Sequence, residues 1–147
     1  MVSMTVRDIQ PPLRTLYALY IEPLCQKYGI TRTEFDILLF LANNPKFDTA
    51  AKISNIRYLA KSHVSTSLKS LEKSGYIVKS SEESDKRRIH LCLTEKANVI
   101  VAEGRKKQYD FTNIVMDGFN AEEKSLIHSY ILRMKSNIEK YLEEHMQ

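Results

Sequence analysis

The chain has 147 residues, enough for one domain and hardly two. Its 43% apolar and 27% charged content is ordinary for a soluble globular protein, and its longest apolar run, Ile37 to Ala42, is far too short to cross a bilayer. The net charge of +4 is unevenly placed: residues 57–107 hold twelve Lys and Arg against six Asp and Glu, a net of +6, whereas the remainder nets −2. A basic centre between neutral-to-acidic arms suggests a polyanion-binding module on a separate scaffold.

Ile9, Leu13, Leu16, Tyr20 and Leu24 recur at steps of three or four, with Tyr17, Ile21 and Tyr28 beside them. That spacing predicts a helix over residues 9–28 with a wide apolar face. Pro11 and Pro12 are expected in its first turn, Pro23 at a kink or irregular turn, and Gly29 at its end. Thr31-Arg32-Thr33-Glu34 then forms a capping box. The helix it opens carries Phe35, Leu38, Leu39 and Leu41 and stops at Asn43-Asn44-Pro45. Asp48 or Thr49 starts a short helix with Ala50, Ile53 and Ile56 on one side, and a tight connection near Tyr58 to Ala60 follows.

The next helix, over 61–74, has an unusual make-up. Val64, Leu68 and Leu71 form a narrow apolar stripe, opposite Ser62, His63, Ser65, Thr66 and Lys69. A merely solvated helix favours Glu/Lys pairs, because Ser and Thr are poorer helix formers. Short donors in such number imply close approach to another surface; the plainer alternative is a weak helix held only by packing.

Gly75 follows as a left-handed helix end, and Tyr76-Ile77-Val78 begins a strand. Residues 79–87 read as a polar loop, and Ile89, Leu91 and Leu93 alternate with His90 and Cys92 in a returning strand. Thr94 caps a helix from about Glu95 to Gly118, marked by Ala97, Val101, Phe111, Val115 and Phe119. Asn120-Ala121-Glu122-Glu123 caps another, running to about Glu144, where Leu126, Tyr130, Met134, Ile138 and Tyr141 recur at helical period. That face is wider than a terminal helix needs, and with the apolar first helix it suggests a dimer interface built from both chain ends.

Three pieces carry a family resemblance: Leu71-Glu72-Lys73-Ser74-Gly75-Tyr76, then Asp85-Lys86-Arg87-Arg88, then Leu93-Thr94-Glu95-Lys96. In this order they resemble the MarR family of winged helix–turn–helix regulators over nearly the whole chain. Ala97 stands where the family usually has glycine. The resemblance implies a mainly α fold with a two-stranded β-hairpin wing and helical dimerisation regions at both ends. A single domain, 1–147, would hold a winged-helix lobe at about 31–94, with about 5–29 and 95–147 forming the dimerisation region.

The resemblance also implies a homodimer on a pseudo-palindromic operator in double-stranded DNA, usually as a repressor of transcription. Helix 61–74 would enter the major groove, where Ser62, His63, Ser65, Thr66 and Lys69 can reach base edges, with Lys61 nearer the phosphates. The wing, 79–88, would reach the minor groove, with Arg87 as the inserting residue, Lys86 and Arg88 on phosphates and Asp85 bracing the tip. Otherwise Asp85 to Arg88 is a solvated turn. Tyr17, Tyr20, Tyr28, Phe35 and Phe40 could line a cleft for a small aromatic effector, or simply pack in the core.

Other chemistries have less behind them. Only Cys25 and Cys92 are present, so no disulfide framework is needed. Some MarR relatives sense peroxides through a first-helix cysteine, which keeps a redox-responsive regulator open at Cys25; a small buried residue is the simpler reading. His63, His90, His128 and His145 lie at no metal-ligand spacing, and no nucleophile elbow, phosphate loop or paired carboxylates appear. Neither a metal nor another cofactor nor an enzyme is expected. The first twenty residues, with Arg7, Asp8 and Arg14, lack the apolar core of a signal peptide, so a cytoplasmic protein without membrane partners is expected. A winged-helix protein–protein adaptor that does not bind DNA is the alternative of a different class.

Overall fold

A computed structural model describes residues 5–146, so the outermost positions of the expected 1–147 domain, 1–4 and 147, lie outside the described residues. The elements run α1 (Val6–Tyr28), α2 (Arg32–Asn43), α3 (Ala50–Arg57), α4 (Lys61–Lys73), β1 (Ile77–Glu82), β2 (Asp85–Leu93), α5 (Glu95–Val115) and α6 (Ala121–His145). This is the mainly helical winged-helix class expected. The chain divides into two compact units, one ending at Phe111 and the other beginning at Thr112.

In the first unit, Ile21 of α1, Phe35 and Leu38 of α2, Ile53 of α3, Leu71 of α4, Ile77 of β1 and Ile100 of α5 are fully enclosed. Each such side chain contributes about 1.5–3 kcal/mol by leaving water. α1 starts earlier than its apolar period, because the Asp8 carboxylate accepts the Thr5 N–H at 2.6 Å and closes the first turn. Pro11 and Pro12 therefore sit beyond the first turn, contrary to expectation. The helix also continues unbroken through Pro23. Leu19 and Pro23 are both exposed, so water can take the carbonyl that proline leaves without a donor.

Gly29 (φ 63°) ends α1 in the left-handed region, with the Ile30 N–H on the Cys25 carbonyl at 3.0 Å. The Thr31–Glu34 box is formed in both directions, at 2.9 and 3.1 Å. Thr49, not Asp48, caps α3 by accepting the Lys52 N–H at 3.3 Å. Only Ile53 and Ser54 of α3 are buried, so Ile56 and Ala50 stand outside the apolar side assigned to them.

β1 and β2 pair antiparallel, from Ile77 opposite Leu93 to Ser81 opposite Ile89. Most of the polar stretch 79–87 is thus strand, and the loop shrinks to Glu83-Ser84. The pairing then slips, with Glu82 opposite Asp85, so Lys86, Arg87 and Arg88 face no partner on β1. They form a bulge, which locally bends and twists the strand.

In the second unit, Gly118 (φ 80°) turns the chain and Asn120 caps α6 by accepting the Glu123 N–H at 2.9 Å. α6 buries none of its side chains.

Candidate nucleic-acid interface

α4 packs Val64, Ser67, Leu68 and Leu71 inward and leaves Lys61, Ser62, His63, Ser65, Thr66 and Lys69 exposed. Ser67, polar in sequence, belongs to the buried side. None of the six exposed residues makes a side-chain hydrogen bond or ion pair among the described residues. Ala60 precedes the helix and offers no side-chain cap. Side-chain oxygens of Thr31, Thr49 and Asn120 cap α2, α3 and α6, so α4 differs in presenting uncapped backbone N–H groups at its start. Such groups, at the positive end of the helix dipole, suit a phosphate. Composition gave no hint of this, because the signal is a missing side chain.

The far end of α4 is fixed by several bonds. Gly75 (φ 76°) adopts the left-handed turn, with the Tyr76 N–H on the Leu71 carbonyl at 2.9 Å. The Thr94 hydroxyl donates to the Gly75 carbonyl at 2.6 Å, and the Lys96 ammonium donates to the Ser74 carbonyl at 2.7 Å. The end of α4, the hairpin base and α5 are thereby tied at one point.

At the wing, Asp85 Oδ1 accepts the Arg87 backbone N–H at 3.0 Å. The side chains of Lys86, Arg87 and Arg88 are exposed and have no partner among the described residues. His90, by its sequence an alternating strand residue, holds two contacts: Nδ1 lies 2.8 Å from Asp48 Oδ2 and Nε2 lies 3.1 Å from Glu82 Oε1. The Leu91 N–H donates to the Asp48 carbonyl at 2.8 Å. The return strand is thus attached to the segment just before α3.

A cleft of about 370 Å3 lies beside Tyr17, Arg32, Asp36, Phe40, Asn43 and Arg57. It brings together only Tyr17 and Phe40 of the five aromatic residues expected at an effector site. Phe35 is in the core, the Tyr28 hydroxyl donates to Glu103 at 2.6 Å, and Tyr20 lies 5.8 Å beneath Lys107 instead. The cleft is more charged than aromatic residues alone would imply. Burial raises the Asp36 carboxyl above its ordinary range, while Arg57 and Arg32 pull it back. Cys25 is buried, and burial, with Glu22 and Asp36 adding, pushes its thiol up to about 11. That environment opposes the thiolate a peroxide sensor needs. Cys92 is exposed. Among the described residues no cluster could hold a metal ion, and no helix is long and apolar enough to cross a membrane.

Residues 28–88 match the model of the MarR family. The HTH-type transcriptional regulator YybA of Bacillus subtilis is 27% identical over 111 residues, 76% of this chain and 73% of that protein. The HTH-type transcriptional regulator SarZ of Staphylococcus epidermidis is 25% identical over 122 residues, 81% of this chain and 79% of the relative. Among solved structures, a MarR family transcriptional regulator from Listeria monocytogenes, complexed with a 26mer DNA, superposes with a TM-score of 0.85. It is 20% identical and is matched over 98% of this chain and 97% of that one. The family match takes in the helix–turn–helix and the wing as far as Arg88, and over that segment the chain is similar to the MarR family of transcriptional regulators.

Proposed function

We propose that the protein is a sequence-specific DNA-binding regulator of transcription that acts as a homodimer on a pseudo-palindromic operator. α4 enters the major groove and the hairpin tip enters the flanking minor groove. The observation that carries this reading is the set of exposed donors with no partner inside the chain, Lys61 to Lys69 on α4 and Lys86 to Arg88 in the bulge. Some cations elsewhere do have partners: Lys27 with Glu103, Lys79 with Glu72, Lys106 with Asp110. The Listeria relative, bound to DNA, has the same fold.

The homodimer is supported by apolar residues left in water. α1 exposes Ile9 and Leu19, and α6 exposes Leu126, Ile131, Leu132 and Ile138. Faces of this kind call for a covering surface, and a second copy supplies one by two-fold symmetry. Repression is the sign that the family resemblance implies. The cleft beside Tyr17 and Phe40 is the place for a small effector that favours one spacing of the two recognition helices and so releases the operator.

Titration of a duplex from the protein's own upstream region at two salt concentrations tests the reading. Tight binding that weakens steeply with salt is expected, because phosphate contacts release counterions. Absence of binding to promoter-proximal DNA at low salt refutes it. Arg87→Ala should weaken binding by about 1–3 kcal/mol, the worth of one groove contact.

A further inference from the structure

We infer that His90 is the positioning residue of the wing, joining the entrance of the helix–turn–helix to the tip so that the cationic bulge is presented at a fixed angle to α4. The inference rests on the wing reading proposed above and adds a residue to it.

His90 sits on β2 one position beyond Ile89, where the bulge ends. One side of its ring meets Asp48 Oδ2 at 2.8 Å, in the connection from α2 to α3. The other side meets Glu82 Oε1 at 3.1 Å, the last residue of β1 before the turn. Glu82 pairs with Asp85, and Asp85 in turn accepts the Arg87 N–H at 3.0 Å. A continuous path of polar contacts therefore runs from the segment just before α3 to the backbone of Arg87. The Leu91 N–H on the Asp48 carbonyl, at 2.8 Å, anchors the same end through the backbone. A two-stranded hairpin alone is marginally stable in water. The tip of this one lies beyond its core contacts, since residues 79–89 are all exposed. Side-chain ties are what remain to hold it, and among the described residues those that reach its tip half from another element pass through His90.

The test is a double-mutant cycle on a duplex from the protein's own upstream region, comparing the unaltered protein, Arg87→Ala, His90→Ala and the double variant. A positioning role predicts that His90→Ala weakens binding about fivefold, part of what one groove contact is worth. It predicts less than about a twofold further loss when Arg87 is already alanine, because the contact being positioned is gone. Equal losses in both backgrounds, or no loss in either, overturn the assignment. A general loss of fold would cost the same with or without Arg87. His90→Asn serves where the alanine variant does not fold: it keeps a donor toward Asp48 and drops the arm to Glu82, and the same coupling to Arg87 is expected. An Arg87→Ala variant that binds as tightly as the unaltered protein overturns the wing reading itself, whatever His90 does.

Discussion

Gly104→Ala sets two opposed effects of known size against each other. Alanine in place of glycine inside a helix favours folding by about 0.8–1.0 kcal/mol. At Gly104, however, a Cβ would lie 2.8 Å from Phe35 Cε2, 2.9 Å from Cζ and 3.1 Å from Leu39 Cδ2. Phe35 is 0% and Leu39 3% exposed, so neither can swing into solvent to make room. Either α5 moves off α2 or the ring leaves its rotamer, and overpacking of this kind costs about 1–3 kcal/mol. The overpacking wins, and the variant should be less stable by about 1 kcal/mol net of the propensity gain. Urea unfolding at fixed protein concentration reads this as a midpoint lower by about 0.5 M, for a slope near 2 kcal/mol/M. A variant as stable as the unaltered chain, or stabilised by the propensity gain, would show that α5 yields to the methyl group and that the contact with Phe35 is not tight.

Further outcomes follow from the caps and the cysteines. Thr31→Ala removes the oxygen that accepts the Glu34 N–H at 3.1 Å and should cost about 1 kcal/mol, again read from urea midpoints. A thiol reagent should modify the folded chain at exposed Cys92 and reach buried Cys25 only on unfolding, which mass mapping of the labelled peptides checks. The Cys25 thiol also predicts a pH dependence. Its folded value is raised from 9.0 to about 11, so below pH 9.0 it is neutral in both states and contributes fully. Above that the unfolded chain ionises first, and this contribution is lost as pH rises toward about 11. Between about pH 9 and about pH 10 the urea midpoint should fall less steeply for Cys25→Ala, whatever its absolute stability.

What could be read from sequence was local or periodic. Thr31 and Glu34, or Asn120 and Glu123, meet within one helical turn, and Gly29 and Gly75 announce a left-handed backbone where only glycine is comfortable. The exposed face of α4 followed from the spacing of Val64, Leu68 and Leu71. The wing was harder, because strands whose outer residues meet water carry no apolar alternation. Lys79, Ser80 and Ser81 are in strand through backbone pairing with Leu91, His90 and Ile89, which leaves no mark on side-chain type. The contact of His90 with Asp48 spans 42 residues of sequence and could not be seen at all. Aromatic content misplaced the cleft for a related reason: Phe35 and Phe40 share a helix and are both buried, and only the rotation of α2 decides that Phe40 also borders the opening.

The bulge shows why three consecutive cations stand on a strand. In a regular ladder Lys86 and Arg88 would point to one face and Arg87 to the other, with the backbone groups of every second residue paired across to β1. The slip in register removes those partners, and Asp85 compensates for one of them by accepting the Arg87 N–H. The side chains gain nothing inside the chain: all three are exposed and have no partner among the described residues. A hairpin optimised for its own stability would keep the ladder and give these bases acidic partners, as Lys79 has in Glu72 of α4 at 2.9 Å. Here the ladder is interrupted and the bases are left bare at the same place. The compensating charge then has to come from outside the protein, and the phosphates lining a DNA groove supply it in the proposed complex.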